Sequence, residues 1–170
     1  MDNTKTQPNT DDLRIVAIRE VVRYAELQEE FPITPEAART TQEARQAIHD
    51  ILHGQDDRML VIVGPCSIHD PEAALEYGQR LKVVKDRLAG DLLIVMRVYF
   101  EKPRTSTGWK GYINDPHMDD SFRIDEGMEK ARRFLMEVNE IGLPAATEAL
   151  DPIAPQYYGD LIAWTAIGAR

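Results

Sequence analysis

The single cysteine of the sequence lies directly after its first strongly apolar segment. Cys66 is part of the motif GPCSIHD at positions 64–70, which follows the run MLVIV at 59–63. Glycine and proline turn the chain sharply, so the thiol would lie at the end of a strand, where α/β sheets bind their ligands. The residue types allow a thiolate that binds a metal or attacks a substrate, or a buried and inert cysteine. His69 could be a second ligand, although Cys-x-x-His alone does not define a metal site.

A group of cations follows the second apolar segment. Arg97 lies inside the run 92–99, where a buried guanidinium is costly unless an anion meets it. Lys102, Arg104 and Lys110 follow in a polar loop. Arginine offers a planar fork and lysine a compact charge for carboxylate or phosphate. The sequence therefore predicts an anion site at this strand end, with solvated cations that pair with loop carboxylates as the alternative, above all for Lys110.

Two later positions belong to the same pattern. Glu148 stands at the end of the third apolar segment, where its carboxylate could position a water, hold a cation or pair with the basic loop. Arg170 follows the small residues 166–169 and would emerge beside the other cations. Both side chains are expected at the carboxyl edge of a sheet, together with Cys66 and Arg97.

Alternating helix and strand patterns position these residues. From residue 58 onward the order is strand, helix, strand, helix, strand, helix, strand, which indicates a parallel α/β sheet with right-handed crossovers. This order fits both a barrel and an open doubly wound sheet. The predicted strands are 59–64, 92–99, 144–150 and 164–169, and the predicted helices are one or two within 11–31, then 34–53, 70–90, 125–141 and 155–161.

Composition excludes several classes of protein. The net charge of −9 argues against a sequence-independent nucleic-acid binder, which needs a basic surface. No apolar run is long enough for a membrane helix, and no signal peptide opens the sequence. One cysteine cannot form an internal disulfide, so a reducing, cytoplasmic setting is the default expectation.

These motifs, in this order, resemble class I 3-deoxy-D-arabino-heptulosonate 7-phosphate (DAHP) synthase. The resemblance begins near Asp11 and rests on GPCSIHD, IVMRVYFEKPRTSTGWKGYINDPHMD, LPAATEALD and PQYYGDLIAWTAIGAR. It implies condensation of phosphoenolpyruvate with erythrose 4-phosphate, the first step of the shikimate pathway to the aromatic amino acids. It also implies a disordered tail (1–10), an N-terminal helical extension for regulation and oligomerisation (11–56), and the first half of a (β/α)8 TIM barrel (57–170).

The resemblance also assigns roles to single residues. Cys66 matches the family's cysteine ligand to a divalent metal such as Mn, Fe or Co, which would polarise the sugar aldehyde. Arg97 and Lys102 match catalytic residues. The implied substrate contacts are Arg97, Lys102, Glu148 and Arg170 for phosphoenolpyruvate, and Lys102, Arg104 and Thr105 for erythrose 4-phosphate.

Feedback inhibition by an aromatic amino acid is a further implication. Asp11, Asp12, Pro155 and Gln156 resemble parts of the family's effector pocket. The start DDLR is similar to phenylalanine-sensitive members and TEALD to tyrosine-sensitive ones, so the effector stays open. Family members are dimers or tetramers, and a homo-oligomer is expected for the full-length protein.

The length of the chain leads to one more expectation. A (β/α)8 barrel needs about 250 residues, and the family's other metal ligands have no counterpart here. We therefore expect a truncated chain that is inactive by itself. The alternatives are a non-catalytic module for effector binding or assembly, and an aldolase that uses Lys102 as a Schiff base.

Overall fold

The fold is a parallel sheet of four strands with helices packed against it. A computed structural model describes residues 11, 15, 18, 20–104 and 106–168; the predicted tail 1–10 lies outside them. The strands are β1 (Met59–Val63), β2 (Leu92–Arg97), β3 (Ala145–Ala149) and β4 (Trp164–Ile167). The helices are α1 (Tyr24–Glu30), α2 (Pro35–Leu52), α3 (Pro71–Arg87), α4 (Ile124–Glu140) and α5 (Pro155–Tyr158), followed by a 3-10 helix (Gly159–Leu161).

The strand order decides between the two predicted architectures, a barrel and an open doubly wound sheet. The strands lie side by side in the order β1-β2-β3-β4, and every neighbouring pair is parallel. A doubly wound sheet reverses its strand order at a switch point, whereas a barrel adds each strand at the same edge. The sheet is therefore wound as in a barrel, and the carboxyl ends of its strands share one edge.

Local signals at the helix starts explain why α2 and α3 begin where the sequence predicts. Thr34 caps α2 by accepting a hydrogen bond from the Ala37 N–H. Asp70 caps α3 by accepting from the N–H groups of Glu72 and Ala73. Both helices carry proline at the first turn, where no backbone donor is lost.

Alternate residues of β2 enter two different apolar clusters. Ile94 and Met96 pack in the main core with α3 and α4. Leu93 and Val95 face the other side of the sheet, where Ile48 of α2 covers them. This alternation follows from the two-residue period of a strand, and it makes α2 a cover for one face of the sheet.

Of the one or two short helices predicted within 11–31, the described residues form α1. The described residues before it, 11, 15, 18 and 20–23, are not helical. The reason is tertiary, because Val22 donates its N–H to Asp125 Oδ1 at 2.8 Å. The Val22 carbonyl accepts from the Tyr157 hydroxyl at 2.6 Å. These bonds attach the backbone of Val22 to α4 and α5.

The prediction that β1 is buried on both faces is also wrong. Met59 is 66% exposed and Val63 is 38% exposed. The cause is topological, since β1 is the first strand of the sheet and has β2 as its one neighbour among the described strands. The predicted strand 92–99 is shorter than expected and ends at Arg97. Position 169, the predicted end of the fourth strand, lies outside the described residues.

Candidate functional site

A glycine brings the end of β1 against the end of β2. A Cβ atom at Gly64 would lie 2.5 Å from the Arg97 carbonyl oxygen, so a side chain is excluded there. The chain beyond Gly64 follows the exit of β2, where Arg97 donates to the Pro65 carbonyl at 3.0 Å. Ile68 donates its N–H to the Tyr99 carbonyl at 2.9 Å. These contacts fix Cys66 beside the carboxyl end of β2.

The Cys66 thiol faces a lysine ammonium. Lys102 Nζ lies 3.2 Å from Cys66 Sγ and 3.1 Å from the Cys66 carbonyl oxygen. The hydrogen bond and charge of Lys102, with a smaller contribution from Arg97, lower the pKa of the Cys66 thiol. Because Cys66 is exposed, the alternative of a buried, inert cysteine is wrong. The position favours a thiolate that solvent and ligands can reach.

Arg97 is held in place by its neighbours at the strand end. It is the last residue of β2 and half-buried, not enclosed within the strand as the sequence suggested. Its guanidinium lies over the Tyr99 ring, 3.8 Å from the ring centroid. Stacking on an aromatic face and the bond to Pro65 orient the planar fork. Tyr99 was missed at the sequence level, although an aromatic residue two positions after an arginine on a strand lies on the same side.

The basic loop after β2 folds back on itself. Glu101 and Gly111 form an antiparallel bridge, and Lys102 donates its N–H to the Lys110 carbonyl at 3.0 Å. Gly111 is required because its φ is 107° and a Cβ would lie 2.2 Å from the Phe100 carbonyl oxygen. Lys110 Nζ bonds to the Arg104 carbonyl at 3.1 Å, so Lys110 braces the loop. Of these two lysines, Lys102 contacts Cys66 and Lys110 does not.

The loop rests on a buried carboxylate, Glu101. Glu101 is 5% exposed and accepts a hydrogen bond from Asn114 Nδ2 at 3.2 Å. Burial, with the nearby Glu101 charge, raises the pKa of Tyr158, which keeps its phenol neutral. Arg104 is exposed at the tip of the loop, and Thr105 lies outside the described residues.

Glu148 lies at the same edge of the sheet as the cysteine and the cations. β3 pairs with β2 so that Ala146 is opposite Arg97, and Glu148 follows two residues later. A Cβ at Gly168 would lie 2.6 Å from Glu148 Oε1, so Gly168 leaves the room that this half-buried carboxylate occupies. Arg170, the other residue predicted for this edge, lies outside the described residues.

Two of the predicted effector residues, Pro155 and Gln156, lie where α1 and the residues before it contact α5. Pro155 and Gln156 begin α5, and Gln28 Nε2 donates to the Gln156 carbonyl at 3.2 Å. The Tyr157 hydroxyl bonds to Val22, as described above. Asp11 is exposed, and Asp12 lies outside the described residues.

Metal-binding capacity at this edge rests on Cys66. Within residues 20–104 and 106–168 and at the three isolated described positions, no three His, Cys, Asp or Glu side chains converge to hold a metal ion. Cys66 fits one ligand position because it is exposed and its thiolate is favoured. His69 instead lines a groove with Tyr112 and Phe134.

Among the described helices, none is long and apolar enough to cross a membrane.

A solved structure shares this architecture. Phospho-2-dehydro-3-deoxyheptonate aldolase from Francisella tularensis SCHU S4 superposes with a TM-score of 0.89 at 49% identity, over 92% of this chain and 46% of that one. The likeness confirms the prediction that the chain folds as the first half of a (β/α)8 barrel.

Sequence relatives carry the same enzyme name as this solved structure. The Phe-sensitive phospho-2-dehydro-3-deoxyheptonate aldolase of Escherichia coli K12 is 59% identical over 160 residues, which are 94% of this chain and 46% of the relative. The Tyr-sensitive enzyme of the same strain is 54% identical over 85% of this chain and 41% of its own length. The chain therefore spans slightly less than half of these relatives. Residues 30–170 match the DAHP synthetase I family, and the chain belongs to that family.

Proposed function

We propose that the chain supplies the phosphoenolpyruvate-binding part of a DAHP synthase active site. The full reaction would condense phosphoenolpyruvate with erythrose 4-phosphate and release phosphate. One observation carries the proposal: Lys102 Nζ lies 3.2 Å from Cys66 Sγ at the strand end where Pro65 and Tyr99 orient Arg97. Membership of the DAHP synthetase I family supports the same chemistry.

The cations would bind and orient the first substrate. Phosphoenolpyruvate carries a carboxylate and a phosphate, which suit the fork of Arg97 and the point charge of Lys102. Each charge-assisted hydrogen bond contributes about 1.5–3 kcal/mol. Glu148, at the neighbouring strand end, would orient a water or repel a misplaced anion. Together they hold the enol carbon in a fixed position, which lowers the entropic cost of the condensation.

The second substrate and the phosphate would be bound by residues at the rim of the same edge. Arg104 and Thr105 would contact the phosphate of erythrose 4-phosphate, and Arg170 that of phosphoenolpyruvate. Arg104 is exposed and therefore accessible to such an anion. Lys102 would contact both substrates, since it lies between Cys66 and the start of the basic loop.

Cys66 would be one ligand of a divalent metal such as Mn, Fe or Co. The ion would act as a Lewis acid toward the aldehyde oxygen of the sugar phosphate. In the described chain, Lys102 is the cation beside the Cys66 thiol, and its ammonium would also be the charge that holds phosphoenolpyruvate next to the metal position. A reducing compartment such as the cytoplasm would keep this thiol available.

Residues 11–56 would form a regulatory and oligomerisation extension ahead of the barrel segment, 57–170. The bonds from Gln28 to Gln156 and from Tyr157 to Val22 support this, because they link the extension to the residues predicted for an effector pocket. Relatives are named Phe-, Tyr- and Trp-sensitive. We propose an aromatic amino acid as effector and a homo-oligomer as the assembled form.

A chimera tests the condensation. Residues 1–170 are joined to the C-terminal part of the Phe-sensitive E. coli relative, and phosphate release is measured with phosphoenolpyruvate, erythrose 4-phosphate and Mn²⁺. We expect turnover that Lys102→Gln lowers by about 10²–10³-fold, the usual loss when one preorganised charge contact is removed. Lys110→Gln is the matched control, because Lys110 bonds within its own loop. A folded chimera with no turnover, or one that keeps its rate in Lys102→Gln, contradicts the proposal.

A further inference from the structure

A second group of cations surrounds a cavity at the amino-terminal edge of the sheet. The cavity has a volume of about 370 Å³ and lies between α2, α3 and the segments that enter β1, β2 and β3. Arg39, Arg58, Lys82 and Lys85 line it, with Glu43 as the one carboxylate residue of its wall. Cys66 and Lys102 lie at the opposite, carboxyl-terminal edge. The cavity is therefore separate from the proposed active site.

Two of these cations are fixed in the wall by carboxylates that do not line the cavity. Asp56 accepts from Arg58 Nε at 3.0 Å and from its terminal nitrogen at 2.6 Å. Lys82 pairs with Asp86 one turn along α3. A Cβ at Gly142, whose φ is 77°, would lie 3.0 Å from Lys82 Cε. Glycine in this left-handed turn thus leaves space for the lysine stem.

Lys85 and Arg39 have side-chain N–H groups that could bind an anion. The Lys85 side chain is 23% exposed, and its recorded ion pair, with Asp86, is long at 3.9 Å. Burial is the main cause that lowers the pKa of Lys85; the charges of Asp86 and Glu43 raise it, and those of Lys82 and Arg58 lower it, with a lowered pKa as the result. Within the described part of the chain, Arg39 forms no recorded ion pair. An ammonium that is partly withdrawn from water next to other cations is stabilised when an anion binds beside it.

We infer that this cavity binds a compact multivalent oxyanion, of the kind carried by phosphorylated or polycarboxylate metabolites. The volume is at the small end of ligand pockets, which limits the ligand to a few non-hydrogen atoms beyond the anionic group. Leu93 and Pro144 form an apolar part of the wall, which excludes water from one side and strengthens the charge contacts.

Calorimetry with inorganic pyrophosphate tests the inference, and citrate in a parallel arm distinguishes a phosphate site from a polycarboxylate site. The 170-residue chain carries Arg97→Gln and Lys102→Gln in every sample, so that anion binding at the other cation cluster is weakened, and ionic strength is constant. We expect saturable binding of at least one of the two anions, weakened at least about tenfold by Lys85→Gln or Arg39→Gln, as expected for one charge-assisted hydrogen bond. Circular dichroism verifies that each variant is folded.

Arg80→Gln is the matched control, because Arg80 is an exposed cation of α3 whose side chain is 78% accessible. We expect it to leave the affinity unchanged. Chemical-shift changes at Arg39, Gly142 and Lys82 on addition of the anion would locate the site independently. The inference is overturned if neither anion saturates, if Arg80→Gln weakens binding as much as Lys85→Gln, or if the shifts lie elsewhere.

Discussion

We expect substitution of Arg132 to have the largest effect on stability of any single substitution in the described part of the chain. Arg132 is 1% exposed in the middle of α4. Its guanidinium donates to the Phe31 carbonyl at 2.7 Å and to the Tyr157 carbonyl at 3.0 Å. It also forms a two-point pair with Asp160, at 2.8 and 2.9 Å. One side chain thus joins the segment after α1 to α4, α5 and the 3-10 helix.

The cost of Arg132→Met follows from these contacts. Removing one partner of a buried ion pair costs about 3–5 kcal/mol, and each buried carbonyl left without a donor adds about 1–3 kcal/mol. The Asp160 side chain is 31% exposed, so water compensates part of its loss. We therefore expect a fall in the free energy of unfolding of about 5 kcal/mol, the low end of the sum of these costs. Asp160→Asn keeps the carbonyl bonds and one acceptor, and we expect about 1.5–3 kcal/mol.

Urea denaturation followed by circular dichroism measures both changes. Arg80→Met is the control: it removes an exposed helical pair with Glu76, and we expect a change below about 0.5 kcal/mol. A loss below about 1 kcal/mol for Arg132→Met, with the slope of the transition unchanged, would refute the buried clamp. Equal losses for Arg132→Met and Arg80→Met would refute it as well.

Three further predictions concern the strand junction, acid stability and the effector. Gly64→Ala places a Cβ 2.5 Å from the Arg97 carbonyl oxygen, and we expect a stability loss of about 1–3 kcal/mol in urea denaturation; Gly90→Ala, with no atom within 4 Å, is the control that must lose less. Hydrogen bonds from Lys130 and then His117 lower the pKa of Glu126 from 4.5 to about 2. Its stabilising contribution is therefore complete above pH 4.5 and lost as the pH falls to about 2. Over this range the free energy of unfolding of Glu126→Gln should fall less than that of the wild type. Parallel profiles of this free energy against pH would contradict the prediction. Calorimetry with phenylalanine, tyrosine and tryptophan should give binding of one of them that Gln156→Pro weakens, and no heat with all three would exclude an effector site confined to this chain.

Elements with local signals could be predicted from the sequence. Thr34 and Asp70 act as caps as expected, and the apolar run at 92–97 forms a strand with a parallel neighbour on each side. The position of Cys66 and Arg97 at one edge also followed from a general rule, because parallel strands end on the same side. The exposure of β1 could not be predicted from its local sequence pattern, because it depends on the position of the strand in the sheet.

Contacts between residues far apart in the sequence could not be predicted from local sequence patterns. Arg132 adjoins the apolar stripe of α4, and its burial depends on acceptors 101, 25 and 28 positions away. The position of Val22 likewise depends on Asp125, 103 positions later. In the site, residue types indicated an anion-binding edge, but the direct approach of Lys102 to Cys66 depends on how the loop folds back. Gly64 was read as a turn residue, whereas its main role is close contact between strands.

The most direct test of the proposed active-site edge is titration of the chain with phosphoenolpyruvate. All samples carry Lys85→Gln, so that the amino-terminal cavity does not compete. We predict saturable binding that Arg97→Gln and Lys102→Gln each weaken at least about tenfold, whereas Lys110→Gln leaves the affinity unchanged. Equal affinity in all four proteins, or no saturable binding by the folded chain, would contradict the assignment of this edge to phosphoenolpyruvate.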